Sequence, residues 1–130
     1  MYLIDTNILI YYLNNDIPKH SLLKIESVFQ SHFNISVLSR IEFLGFRYFS
    51  SPERKQALKF INEATVFDLN EEIAKEAIEL RCKHSIKLID AIIASTAKVN
   101  NQVLITRNTD DFRKTKIELL NPFNNWLDCD

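Results

Sequence analysis

Short apolar runs alternate with helix-patterned segments along nearly the whole chain, and this alternation is the strongest constraint on how it can fold. Residues 2–4, 35–38, 65–69, 103–106 and 117–120 read as five strands. Between them the pattern predicts a helix over 8–13, capped by Asp5 or Thr6, and a second with Pro18 as its first residue, reaching about residue 30. A third starts at Ser39 and runs through Phe46 or slightly beyond; a fourth opens at Ser51-Pro52-Glu53 and ends near Asn62. Asn70 caps a fifth over 71–83, with acids in its first turn, basic residues in its last, and Ile73, Ala77 and Leu80 as its inward stripe. The sixth, 88–99, is apolar nearly all round and therefore expected to be buried; a short helical turn covers 110–113. Strands separated by helices favour a parallel sheet covered on both faces. The expected fold is a three-layer α/β/α sandwich around a mainly parallel five-stranded sheet, as one domain over residues 1–130.

Composition removes several function classes. A single glycine, Gly45, leaves no phosphate-cradling loop, no dinucleotide fingerprint and no nucleophile elbow. Its place inside the third helix suggests a close helix–helix approach or a bend. The two cysteines, Cys82 and Cys129, have no partner at metal-ligand spacing; they read as reduced thiols, with Cys82 a small buried apolar residue. The chain opens without a basic-then-apolar leader and holds no membrane-length apolar run, so a cytoplasmic protein is expected. With a net charge of −1, nucleic-acid contact would have to come from a local basic patch.

Acidic residues follow the strands. In open parallel sheets, sites form outside the carboxyl ends of the strands. Asp5 ends the first strand, Glu42 follows the second, and Asp110 and Asp111 follow the fourth. Asp90 lies at the start of the apolar sixth helix, where an unpaired carboxylate is costly to bury. Each has a plainer reading. Asp5 can serve as a helix cap, Glu42 completes a Ser39-x-x-Glu42 capping box, Asp90 can cap its helix or answer Lys87, and Asp110 and Asp111 can be ordinary loop acids. Together they point elsewhere. Two carboxylates about 5 Å apart repel by roughly 3 kcal/mol at an effective dielectric near 20. A cluster of them calls for protonation or a hard cation such as Mg²⁺ or Mn²⁺, which can activate water for phosphodiester hydrolysis.

The motifs carrying these acids resemble the PIN-domain ribonucleases, in particular the VapC-type toxins of type II toxin–antitoxin systems. Asp5-Thr6-Asn7 resembles the family's opening motif, Arg40-Ile41-Glu42-Phe43-Leu44-Gly45 its second, and Asp90-Ala91-Ile92-Ile93-Ala94 its third. Thr106-Arg107-Asn108-Thr109-Asp110-Asp111-Phe112 resembles the fourth, and the closing Asn121-Pro122-Phe123 is similar as well. The resemblance implies Mg²⁺ or Mn²⁺ held by Asp5, Asp90 and Asp111, with Glu42 completing the cluster. By motif position Asp111 is the better match for the fourth acid, while Asp110 and Asn108 stay open as contributors. Thr6 and Asn7 would sit beside the metal, and Thr106 would bond a ligand carboxylate. It further implies an RNA substrate, tRNA among the candidates, a cognate antitoxin, and a homodimer.

Arg40, Arg47, Arg107, Arg113, Lys114 and Lys116 flank the motifs, and Lys83, His84 and Lys87 precede Asp90. Arg40, Lys87, Arg107 and Arg113 are the candidate RNA contacts; a solvated charged surface is the plainer reading. His84 is a candidate for proton transfer or simply a helix-end residue. The aromatic set Phe43, Phe46, Tyr48 and Phe49 exceeds what one helix face needs, and part of it is a candidate partner surface. Residues 121–126 are expected to pack aromatics over a sheet edge. Three other functions are compatible with an acid-lined α/β fold. One is a non-catalytic module docking a basic peptide, disfavoured by the full set of acids. Another is a phosphoacceptor receiver, which would want a lysine after a late strand where Thr106-Arg107-Asn108 stands. The third is an RNA-processing nuclease unrelated to toxins.

Overall fold

The computed structural model describes residues 1–124. In chain order it contains β1 (Tyr2–Ile4), α1 (Thr6–Leu13), α2 (Lys19–Ser31), β2 (Asn34–Ser36), α3 (Val37–Leu44), α4 (Ser51–Ile61), β3 (Thr65–Phe67), α5 (Glu71–Lys83), α6 (Leu88–Val99), β4 (Val103–Ile105), α7 (Thr109–Phe112), a 3-10 turn (Arg113–Thr115) and β5 (Leu119–Leu120). The strands form one sheet in the order β3-β2-β1-β4-β5, and every pairing is parallel. In register, Leu3 lies opposite Asn34 on one side and Leu104 on the other. After β1 the chain builds outward through β2 and β3, then returns to place β4 on the opposite side of β1. The strand order thus reverses between β1 and β4, and a crevice opens beyond their carboxyl ends.

Strand alternation sorts the core into two layers. Leu3 and Leu104 face α5, α6 and α7, packing with Leu80, Ile93, Ala94, Ala97 and Phe112. Their neighbours Ile4 and Ile105 face the other way, against Ile8, Leu9, Ile25, Val28 and Phe43. Each such side chain, fully buried, stabilises the fold by about 1.5–3 kcal/mol. Helix α6 is the inner helix of its layer: every residue from Ala91 to Ala97 is buried. Helix α5 covers it with Ile73, Ala77 and Leu80, the expected stripe.

Several boundaries differ from the sequence expectation. Thr6 already belongs to α1, with Asp5 as its cap. Pro18 occupies the cap position of α2 rather than its first turn. The larger correction is at β2, which ends at Ser36. The Ser36 hydroxyl accepts a hydrogen bond from the Leu38 amide at 3.1 Å, so α3 starts at Val37. Ser39 is consequently buried inside α3, and the Ser39–Glu42 capping box does not form. Gly45 is not mid-helix but the C-cap of α3, where a Cβ would lie 2.7 Å from the Ile41 carbonyl oxygen. The strands β3, β4 and β5 are shorter than expected, and α7 opens one residue earlier, at Thr109.

Cys82 is exposed, not buried. The aromatic set divides: Phe43 and Phe49 are core, Phe46 is half-buried, and Tyr48 is exposed. Phe123 packs edge-on against Tyr11, their ring centroids 4.9 Å apart, whereas Trp126 and Cys129 lie outside the described residues. Among the described residues no helix is long and apolar enough to cross a membrane.

Candidate active site

Asp5 leaves the end of β1 directly at the crevice. Its amide still continues the sheet, donating to the Ile105 carbonyl at 3.0 Å, while its side chain caps α1. One carboxylate oxygen, Oδ1, accepts from the Thr6 amide at 2.8 Å. The other, Oδ2, accepts from the Thr106 hydroxyl at 2.8 Å and the Asn7 side-chain amide at 3.4 Å. Thr106 stands at the end of β4, buried, and its hydroxyl also accepts from the Asn108 amide at 3.0 Å. The capping reading of Asp5 is therefore correct, and it leaves the carboxylate fixed at the strand-order reversal with no basic hydrogen-bond partner among the described residues.

Burial pushes the Asp5 carboxyl up from 3.8 to about 6. Hydrogen bonds from Thr106 and Thr6 oppose the rise, and the charges of Asp90 and Glu42 add to it. Asp90, in the first turn of α6, is also raised, first by burial and then by Asp111; Lys87 opposes this and Glu42 adds to it. Lys87, not Asp90, is the cap residue of α6. The fields of Asp5, Glu42, Asp90 and Asp111 thus converge, although the four come from four different elements.

Glu42 is brought in by α3. Because that helix begins at Val37, Glu42 lies in its second turn, and its Oε1 accepts the Thr6 hydroxyl at 2.7 Å. The two adjacent loop acids part ways. Both are exposed, but Asp111 acts on Asp90, whereas Asp110 is ion-paired with Arg113 at 2.8 Å.

Oxygen-only donors around a buried carboxylate that lacks counter-charge fit a hard divalent cation. Among the described residues, no group of three or more acids, histidines or cysteines is placed so that it could hold a metal ion. The fit therefore rests on the donor chemistry and the unbalanced charge.

A model of the PIN domain matches residues 2–118. The chain belongs to the PIN domain family. Solved structures agree over nearly the full length. A toxin–antitoxin complex from Klebsiella pneumoniae contains a chain 26% identical to this one, with a TM-score of 0.77, covering 94% of this chain and 98% of that one. VapBC-1 from nontypeable Haemophilus influenzae is similar at 25% identity and a TM-score of 0.73, covering 93% and 97%. FitAcB from Neisseria gonorrhoeae, at 20% identity and a TM-score of 0.81 over 95% and 99%, shares the fold. No curated protein sequence matches the chain.

Within this PIN domain the basic candidates scatter. Lys87 is beside Asp90; Arg113 is spent on Asp110, Lys83 on Glu79, and Lys114 on the Ser85 carbonyl. Arg40 is exposed on α3, and Arg47 lies over the Tyr48 ring. His84 lines a separate cavity of about 580 Å³ between α5, α6 and residues 114–118, apart from Asp5, Glu42, Asp90 and Asp111. Sequence reasoning did not find the Thr6–Glu42 bond or the aromatic setting of Arg107, since both depend on which elements become neighbours.

Proposed function

We propose that this PIN domain is a metal-dependent endoribonuclease that hydrolyses RNA phosphodiester bonds, acting as the growth-inhibiting toxin of a toxin–antitoxin pair. The observation that carries the reading is the buried Asp5 carboxylate at the strand-order reversal of a PIN fold, held by Thr106 and Thr6, with Glu42 joined to Thr6 at 2.7 Å; the charges of Asp90 and Glu42 act on Asp5, and that of Asp111 acts on Asp90. Asp5, Asp90 and Asp111 would hold Mg²⁺ or Mn²⁺, with Glu42 completing the cluster. Such an ion, when bound, supplies a lowered pKa for water and neutralises charge on the phosphoryl oxygens. The protein's own part is positioning. Thr106 and Asn7 orient the Asp5 carboxylate, Thr6 orients Glu42, and Asn108 steadies Thr106. Asp110 serves the loop through Arg113 rather than the ion. Lys87, Arg40 and Arg107 offset the repulsion between RNA phosphates and the acids.

The toxin assignment draws on the Klebsiella and Haemophilus relatives, which are solved as toxin–antitoxin complexes. The same likeness supports a cognate antitoxin as partner, and the reading includes a homodimer in a cytoplasmic setting. Exposed Ile41 on α3 and Tyr48 just beyond it provide an apolar surface for such a partner.

The test is cleavage of a mixed RNA pool that includes tRNA, with Mg²⁺ or Mn²⁺, with EDTA, and with folded Asp5→Asn and Asp90→Asn variants. Cleavage lost in EDTA and in both variants supports the reading. Folded wild type that leaves every RNA intact in either metal overturns it.

A further inference from the structure

Arg107 directly follows Thr106, and its backbone is tied into the acid site. Its amide donates to Asn7 Oδ1 at 3.5 Å, and Asn7 in turn donates to Asp5. The side chain is held differently. The guanidinium lies 4.0 Å from the Phe123 ring centroid and 5.1 Å from that of Tyr11, and these two rings pack edge to face. Guanidinium N–H groups point outward in the plane of the group, so ring contacts on the face leave them unspent. Among the described residues the Arg107 side chain makes no hydrogen bond and no ion pair, and the residue is exposed.

The platform is itself built for this. Asn121 accepts from the Phe123 amide at 2.9 Å through Oδ1 and donates through Nδ2 to the Arg107 carbonyl at 3.4 Å. A single side chain therefore sets both the ring and the arginine. The following turn is anchored on α2, where the Ser21 hydroxyl donates to the Pro122 carbonyl at 2.6 Å.

We propose that Arg107 is the substrate-phosphate anchor of this site, with Tyr11 and Phe123 as positioning residues that hold its guanidinium ready while its amide bonds the Asn7 side chain that orients Asp5. The proposal rests on the nuclease reading and singles out, among the basic residues that reading names together, the one whose side chain is held in place to grip a phosphate. A cluster of four acids repels a polyanion, and of the basic candidates Arg113 and Lys114 are already engaged. Arg107 keeps a bidentate donor edge suited to a phosphodiester. Stacking restricts the side chain before substrate arrives, so less freedom is lost on binding.

The experiment measures binding of a fluorescein-labelled 12-nucleotide single-stranded RNA in EDTA from 50 to 300 mM salt, and KM and kcat for its cleavage in Mn²⁺. It uses wild type, Arg107→Met, Arg107→Lys and Phe123→Leu, each checked for folding by its melting temperature. Arg107→Met is expected to weaken binding about tenfold and to flatten the slope of log affinity against log salt by about 0.7, one phosphate contact on a single strand. Arg107→Lys keeps the charge and should retain the slope while raising KM. Phe123→Leu should raise KM several-fold with the slope unchanged, because the charge stays but its placement loosens. A stack that merely holds residues 121–123 would lower the melting temperature in Arg107→Met and leave salt slope and KM at wild-type values; that result overturns the proposal. Unchanged cleavage by Arg107→Met beside active wild type would sink the anchor and leave the nuclease standing. Arg107-dependent RNA binding with no metal-dependent cleavage would do the reverse.

Discussion

The hydroxyl of Thr6 donates to Oε1 of Glu42 at 2.7 Å, joining the first turn of α1 to the second turn of α3. These residues lie 36 positions apart and meet because β1 and β2 are parallel neighbours. The bond gives Glu42, which is exposed, one preferred position toward the acid cluster. Thr6→Val keeps the shape and removes the donor. It should cost about 1 kcal/mol of stability, as a typical hydrogen bond does. Outer partners of metal ligands are generally worth 10–100-fold, so Mn²⁺-dependent cleavage should fall by about tenfold or more. Thr6→Ser should restore most of both. Equal activity in Thr6→Val and wild type would detach Glu42 from the mechanism.

Asp110 and Asp111 are adjacent, and only Asp111 acts on Asp90. Asp110 is occupied by Arg113 in an exposed pair, an arrangement worth about 0–1 kcal/mol. Asp111→Asn should abolish most metal-dependent cleavage, while Asp110→Asn should stay within a few-fold of wild type. Titrating Mn²⁺ against each variant separates the two: affinity should drop only for Asp111→Asn. The opposite ranking would reassign the fourth acid.

Asp5 gives the metal-free protein a pH-dependent weakness. Its carboxyl is raised from 3.8 to about 6, first by burial and further by Asp90 and Glu42. The folded state therefore holds the proton more tightly than the unfolded chain. The resulting stability is present in full below about pH 4 and is lost as pH rises to about 6, amounting to about 3 kcal/mol by linkage. Asp5→Asn is neutral at every pH. In EDTA, urea melts should show the variant gaining on wild type between pH 4 and 6, with a constant advantage above. Mn²⁺ at pH 8 should reverse the order, since the ion stabilises only a native state that binds it. A difference between the two proteins that does not change with pH would contradict the burial-driven shift.

How much of this was legible in the sequence depends on the range of the interaction. Helix α5 was read to the residue because its signals are local: the Asn70 cap bonds the Ile73 amide at 2.9 Å, and acids and bases occupy opposite ends. The five-strand parallel sheet was readable from alternation alone. Asp5, Glu42 and Asp111 were readable because each follows a strand, and strand ends meet at one edge; Asp90 was readable because a carboxylate in so apolar a helix needs a partner. The PIN likeness rested on those same motifs. Arg107 illustrates what was not legible. Its basic charge was visible, but its place on Tyr11 and Phe123 requires residue 123 to fold back across α1, a contact no local pattern encodes. Cys82 failed for a simpler reason: its type suggests burial, while its position on α5 falls outside the Ile73-Ala77-Leu80 stripe.

Two serines at the start of α3 give the sharpest contrast between pattern and structure. Ser39 matched a capping box and Ser36 sat within an apolar run, yet Ser36 is the cap. Its hydroxyl serves the Leu38 amide, while the Ser39 hydroxyl is fully buried without a hydrogen-bond partner among the described residues. The apolar pair Val37-Leu38 looked like strand because it continues the run from Ile35 and the β-branched Val37 favours extended backbone. A cap at Ser36 ended the strand before them. Removing a cap costs about 1 kcal/mol. Removing a buried hydroxyl that bonds nothing relieves a desolvation cost of about 1–3 kcal/mol, partly offset by the small void left behind. Ser36→Ala should therefore lower the unfolding free energy by about 1 kcal/mol, and Ser39→Ala should leave it unchanged or raise it. Equilibrium urea denaturation of both variants decides the matter. Were Ser39→Ala the more damaging of the two, α3 would begin at Ser39 after all. Glu42 would then return to the first turn as a capping residue, and its bond to Thr6 would lose its place in the site.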